Sequence, residues 1–73
     1  MDTYLTLWFS SEGASPTEVV QTLKLLGFAA MQGNYDFSYK WDTEPSVEEL
    51  MHLGNSVQKK LKGSKATFKM ETI

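Results

Sequence analysis

The 73-residue sequence contains no cysteine and no arginine, only two prolines and one histidine, and no apolar run approaching the length of a membrane span. Each absence removes a class of chemistry. Without cysteine there are no disulfide staples, no thiolate metal sites and no cysteine nucleophiles. All seven basic residues are lysines, so the guanidinium fork that grips phosphate, carboxylate and guanine edges is missing, and with it any mechanism built on an arginine clamp. A bilayer-crossing helix needs about 20 apolar residues in sequence. The N-terminus also lacks the basic start, apolar stretch and small-residue cleavage site of a secretory signal, so the expected location is cytoplasmic. What is present fits one small domain over residues 1–73: 41% of the residues are hydrophobic, and nine acidic residues against seven lysines give a net charge of −2. A chain this short buries only about 60% of the surface its unfolded form exposes. Its expected stability is about 4–11 kcal/mol, which leaves little margin for core errors.

The pattern of apolar residues alternates between periods of two and of three to four. From Thr3 to Ser10, Leu5, Leu7 and Phe9 fall on one side and Tyr4, Thr6 and Trp8 on the other, which is strand periodicity. Ser15-Pro16-Thr17-Glu18 is a helix start, with serine at the cap, proline in the first turn and glutamate placed for a capping box. Val19, Val20, Leu23 and Leu26 make its apolar stripe and Gly27 its stop. Phe28 to Gln32 reads as a short edge strand, and Gly33-Asn34 as a turn. A third strand follows in which Tyr35, Phe37, Tyr39 and Trp41 share one face and Asp36, Ser38, Lys40 and Asp42 the other. Ser46-Val47-Glu48-Glu49 repeats the capping signature. The second helix carries Val47, Leu50, Gly54, Val57 and Leu61 on its apolar stripe, widened by Met51 and Leu53, and Gly54 on that stripe implies close approach to the sheet. Lys59, Lys60 and Lys62 sit where they complement the negative end of the helix dipole, before Gly63. Ala66, Phe68 and Met70 alternate with Thr67, Lys69 and Glu71 in a last strand. The order strand, helix, strand, strand, helix, strand, with right-handed crossovers, predicts an α+β ferredoxin-like two-layer sandwich: an antiparallel four-stranded sheet of order 4-1-3-2 with both helices on one face.

That layout leaves one sheet face open, bearing Tyr4, Thr6 and Trp8, and these are the candidate interface residues. Base stacking on such a sheet is disfavoured, because turning Tyr35, Phe37, Tyr39 and Trp41 outward would force Asp36, Ser38 and Lys40 into the core. The negative charge and missing arginine point the same way, so nucleic acid is not the expected partner. His52, with Glu48 and Glu49 one turn before it, reads as a solvated trio on a helix surface, so neither a metal nor a catalytic residue is assigned. No serine lies in a nucleophile elbow, no cofactor is implied, and the chain is expected not to be an enzyme. The loop from Ser10 to Ser15 meets a helix N-terminus, where free N–H groups favour an anion. Ser11, Gly13 and Ser15 are its candidate ligand-binding residues.

The segment from Met31 to Trp41, with Gly33 followed by Tyr35-Asp36 at the entry to a strand, resembles the central hairpin of the ligand-binding (RAM) domains of Lrp/AsnC-type regulators, and the whole layout is similar to ACT domains. The resemblance touches Gly33, Tyr35 and Asp36 in the hairpin and Gly13 in the first loop. It implies dimerisation through open sheet faces, with a small effector, often an amino acid, at the dimer interface or in that loop. The sequence carries no helix-turn-helix, and its first loop lacks the Asp and Pro-Gly common in ACT domains. The resulting expectation is a small regulatory or protein-interaction domain that forms a homodimer or binds another protein, with a small-molecule effector as a further ligand. Single-stranded nucleic-acid binding through the sheet is the alternative.

Overall fold

Strand β1 (Asp2–Trp8) alternates as its sequence dictates: Thr3, Leu5 and Leu7 are buried, while Tyr4, Thr6 and Trp8 face the other way. The structure, a computed structural model, describes all of residues 1–73. Helix α1 (Pro16–Leu25) begins where the Glu18 amide donates to the Ser15 hydroxyl at 3.3 Å. The return bond of a capping box forms only at helix α2 (Val47–Leu61), where Ser46 and Glu49 exchange two bonds of 3.1 Å. Helix α1 ends in a Schellman turn: Gly27, at φ +106°, donates to the Lys24 carbonyl and Phe28 to that of Leu23. Phe28 is drawn into the core by this closure, so strand β2 shrinks to Ala29–Ala30, shorter than the edge strand expected from Phe28 to Gln32.

Strands β3 (Phe37–Lys40) and β4 (Thr67–Thr72) flank β1, giving one sheet of order β2-β3-β1-β4 in which every neighbouring pair is antiparallel. This is the expected strand order, read from the opposite edge. Leu5, Leu7 and Phe37 from the sheet meet Val19, Leu23, Leu53, Val57 and Leu61 from the two helices in a single core that also contains Phe28. At its margin the buried Thr3 hydroxyl accepts from the Trp41 indole N–H at 2.8 Å and pairs with the Thr72 hydroxyl at 2.7 Å, tying three strand ends together.

Two expectations about facing are overturned. Tyr35 does not share the inward face of Phe37, Tyr39 and Trp41. Leu5 is the register partner of Phe37, yet its carbonyl also accepts the Asp36 amide at 3.0 Å, so two residues oppose one, as in a β-bulge. The extra residue breaks the alternation and sends Tyr35 to the open face. Gly54, expected to allow close approach of α2 to the sheet, instead borders open space, with no atom within 4 Å of where a Cβ would sit. The apolar stripe of α2 is wider than the sheet beneath it: Leu53, Val57 and Leu61 are buried, but Val47 is 72% and Met51 63% exposed.

Candidate functional site: the open sheet face

On the face away from the helices, the rings of Tyr4 and Tyr35 stack with centroids 4.8 Å apart and planes 22° from parallel. The β1–β4 register sets Glu71 beside Tyr4, Lys69 beside Thr6 and Thr67 beside Trp8. Tyr35 Oη donates to Glu71 Oε2 at 3.0 Å, and Lys69 Nζ lies 2.9 Å from Glu71 Oε1. One carboxylate thus holds a tyrosine from the hairpin and a lysine from its own strand. The two hydrogen bonds, from Lys69 first and Tyr35 second, hold the Glu71 carboxyl below the ordinary glutamate value. The same bonds push the Tyr35 phenol and the Lys69 ammonium upward, since each is the protonated partner of a carboxylate.

Trp8 ends this row 54% exposed, and Phe9 just beyond it is also exposed. The three residues read from sequence as an interface therefore occupy one face: Tyr4 under the Tyr35 ring, Thr6 half-buried beside Lys69, and Trp8 open to solvent. Tyr35, Lys69 and Glu71 complete the arrangement. The alternation of Lys69 and Glu71 on one face was legible in the sequence, but Tyr35 was not, because the bulge that redirects it leaves no apolar signature. Asp36, freed by that bulge, accepts the Leu7 amide at 2.8 Å and replaces a backbone partner where β3 has ended.

The first loop is organised by packing. The Ala14 amide donates to the Ser64 carbonyl at 3.0 Å, the Gly13 amide to the Ser10 carbonyl, and the Glu12 amide to the Ser10 hydroxyl. A methyl on Gly13 would overlap the Ser64 carbonyl, so glycine serves the contact between this loop and the turn before β4. Ser15 caps α1, and Ser11 is exposed nearby. These residues lie together, with several of the loop's amides already engaged inside the chain.

Tyr39 packs against Phe28 at 5.4 Å and against Trp41 at 4.8 Å. Together with Glu48, Glu49 and His52 of α2, Tyr39 and Trp41 line a shallow cleft of about 520 Å³ on the opposite side of the molecule from the open face. The Glu49 carboxylate is committed to its helix cap there. No group of three or more histidine, aspartate or glutamate side chains is placed to hold a metal ion, and no helix is long and apolar enough to cross a membrane. No family model, curated protein or solved structure matches the chain.

Proposed function

We propose that this chain is a non-enzymatic interaction domain whose open sheet face receives the surface of a partner protein. In layer order and strand order it is read as a ferredoxin-like sandwich, a layout similar to that of ACT domains and of the RAM domains whose central hairpin its Gly33 to Asp36 segment resembles. The observation that carries the reading is the Tyr4–Tyr35 stack with the exposed Trp8 indole farther along the same face of β1, Thr6 between them and Thr67, Lys69 and Glu71 on the adjoining strand. Aromatic anchors at the centre and polar groups at the rim are the composition of protein interfaces. The stack and the Tyr35–Glu71–Lys69 chain also hold this surface in one shape before binding, which lowers the ordering cost of association. The first loop is assigned no effector, because several of the amides that would cradle an anion there are engaged within the chain.

A photo-crosslinking amino acid at position 6, compared with one at Gln21 on the exposed side of α1, tests the assignment in cells expressing the chain. Adducts formed from position 6, absent from position 21 and lost in Trp8→Ala support it. The same adducts from both positions, adducts unchanged by Trp8→Ala, or none from position 6 refute it.

The outward Tyr35 also favours a second reading, single-stranded nucleic acid stacked on Tyr4, Tyr35 and Trp8. It ranks lower because Tyr4 and Tyr35 already stack on each other, Lys69 is neutralised by Glu71, and the net charge is −2. Oligonucleotide titration in low and then moderate salt decides it, and no binding at low salt removes it.

A further inference from the structure

The two edges of the sheet are unlike. Strand β2 is two residues long, a short edge that offers little to another chain. Strand β4 is six residues long, without proline and with continuous pairing to β1. Its outer side is determined by ladder parity. Asp2 and Ile73 exchange both backbone hydrogen bonds, and such pairs recur at every second position of an antiparallel ladder. Within the register, Tyr4/Glu71, Thr6/Lys69 and Trp8/Thr67 are therefore the hydrogen-bonded pairs. The amides and carbonyls of Phe68, Met70 and Thr72 point the other way, off the edge of the sheet.

We infer that β4 pairs antiparallel with β4 of a second copy of this chain about a two-fold axis at Met70, joining the two sheets into one of eight strands. Symmetric pairing through the outward groups requires the axis to pass through a residue, and charge selects which one. An axis at Lys69 or Glu71 would oppose like charges. With the axis at Met70, each Lys69 faces the partner's Glu71 in a non-hydrogen-bonded pair, where side chains approach most closely. The internal Lys69–Glu71 ion pair then becomes one side of a square whose corners alternate in sign. The Met70 pair and the two pairs of Phe68 with Thr72 supply about six backbone hydrogen bonds.

The same operation accounts for the apolar surface on the other side. Val47, Leu50, Met51, Gly54, Phe68 and Met70 line an open groove of about 470 Å³ between α2 and β4. Pairing at β4 brings the partner's equivalent groove against this one, so the part of the α2 stripe left uncovered by its own sheet meets its symmetry mate.

Sedimentation across a concentration series, with the full chain, tests the pairing through charge complementation. The wild-type chain is expected to dimerise. Lys69→Glu and Glu71→Lys each oppose like charges across the axis and weaken the dimer about tenfold. Mixed together they restore a one-to-one heterodimer, and the doubly exchanged K69E/E71K chain restores the homodimer. Amide spectra check that each variant is folded. An isotope-filtered cross-peak between the Lys69 Hα of one copy and the Glu71 Hα of the other reads the register directly. A monomer at all concentrations, a dimer without that cross-peak, or single variants that fail to complement overturn the inference. A dimer lost in Trp8→Ala but kept in Lys69→Glu assigns the contact to the open face instead. Failure at β4 with Trp8-dependent crosslinks intact leaves the interaction-domain reading standing.

Discussion

Replacing Thr3 by valine isolates the most concentrated polar contact in the core. Valine nearly matches threonine in shape, so packing is kept while the hydroxyl that accepts the Trp41 indole N–H and meets Thr72 is removed. Leaving the partly buried Trp41 donor unsatisfied costs about 1–3 kcal/mol. The half-buried Thr72 hydroxyl turns to water at a cost of at most about 1 kcal/mol, and burial of one more methyl returns about 0.8 kcal/mol. The net expectation is a loss of about 2 kcal/mol, a large part of the total stability of a domain of this size. Urea unfolding followed by tryptophan fluorescence should show a lower midpoint with an unchanged slope, and thermal unfolding a fall of about 8–16 °C. In a double-mutant cycle, Trp41→Phe removes the stranded donor, so Thr3→Val and Trp41→Phe together cost about 1–2 kcal/mol less than their sum. A Thr3→Val loss below about 0.5 kcal/mol, or strictly additive costs, refutes the assignment of this node as a structural tie.

Gly54→Ala is expected to stabilise the chain by about 0.5–1 kcal/mol, because a Cβ there meets nothing and alanine removes the entropy cost of glycine inside a helix; a lower urea midpoint contradicts it. For Glu71 the pH dependence has a definite sign. Its folded-state value lies below the ordinary one, so its contribution to stability is present above the unfolded-state value and is lost as pH falls through the folded one. A carboxyl ¹³C titration placing Glu71 at or above the ordinary glutamate value, or an acid limb of stability unchanged in Glu71→Gln, contradicts this.

Features set by neighbours within one turn were readable from residues alone. The Ser46–Glu49 box, the Ser15 cap and the Gly27 stop each depend on a few consecutive side chains, and each forms, apart from the missing return bond at Glu18. The inward Leu5 and Leu7 and the outward Tyr4, Thr6 and Trp8 also follow from alternation. A local period does not carry across a break or from one element to another. Tyr35 has the phase of Phe37 in the sequence, and the bulge at Asp36 reverses it. The helix phase of Gly54 points toward the sheet, but whether a strand lies beneath it depends on sheet width, a property of the assembled layers. The Tyr35–Glu71 bond joins residues 36 positions apart and has no local trace.

The strand order has a consequence for how the chain reaches its structure. Of the six elements, β1 is made first and one of its two neighbours, β4, last, so each bond of that ladder closes a loop around all the elements between them. Contacts of such long separation slow folding, because their closure entropy precedes any reward from pairing. On the ribosome the central strand has β3 as its only partner until Thr67–Thr72 emerge. Until then one side of β1 presents its backbone to any passing strand, and the arrival of β4 ends that exposure.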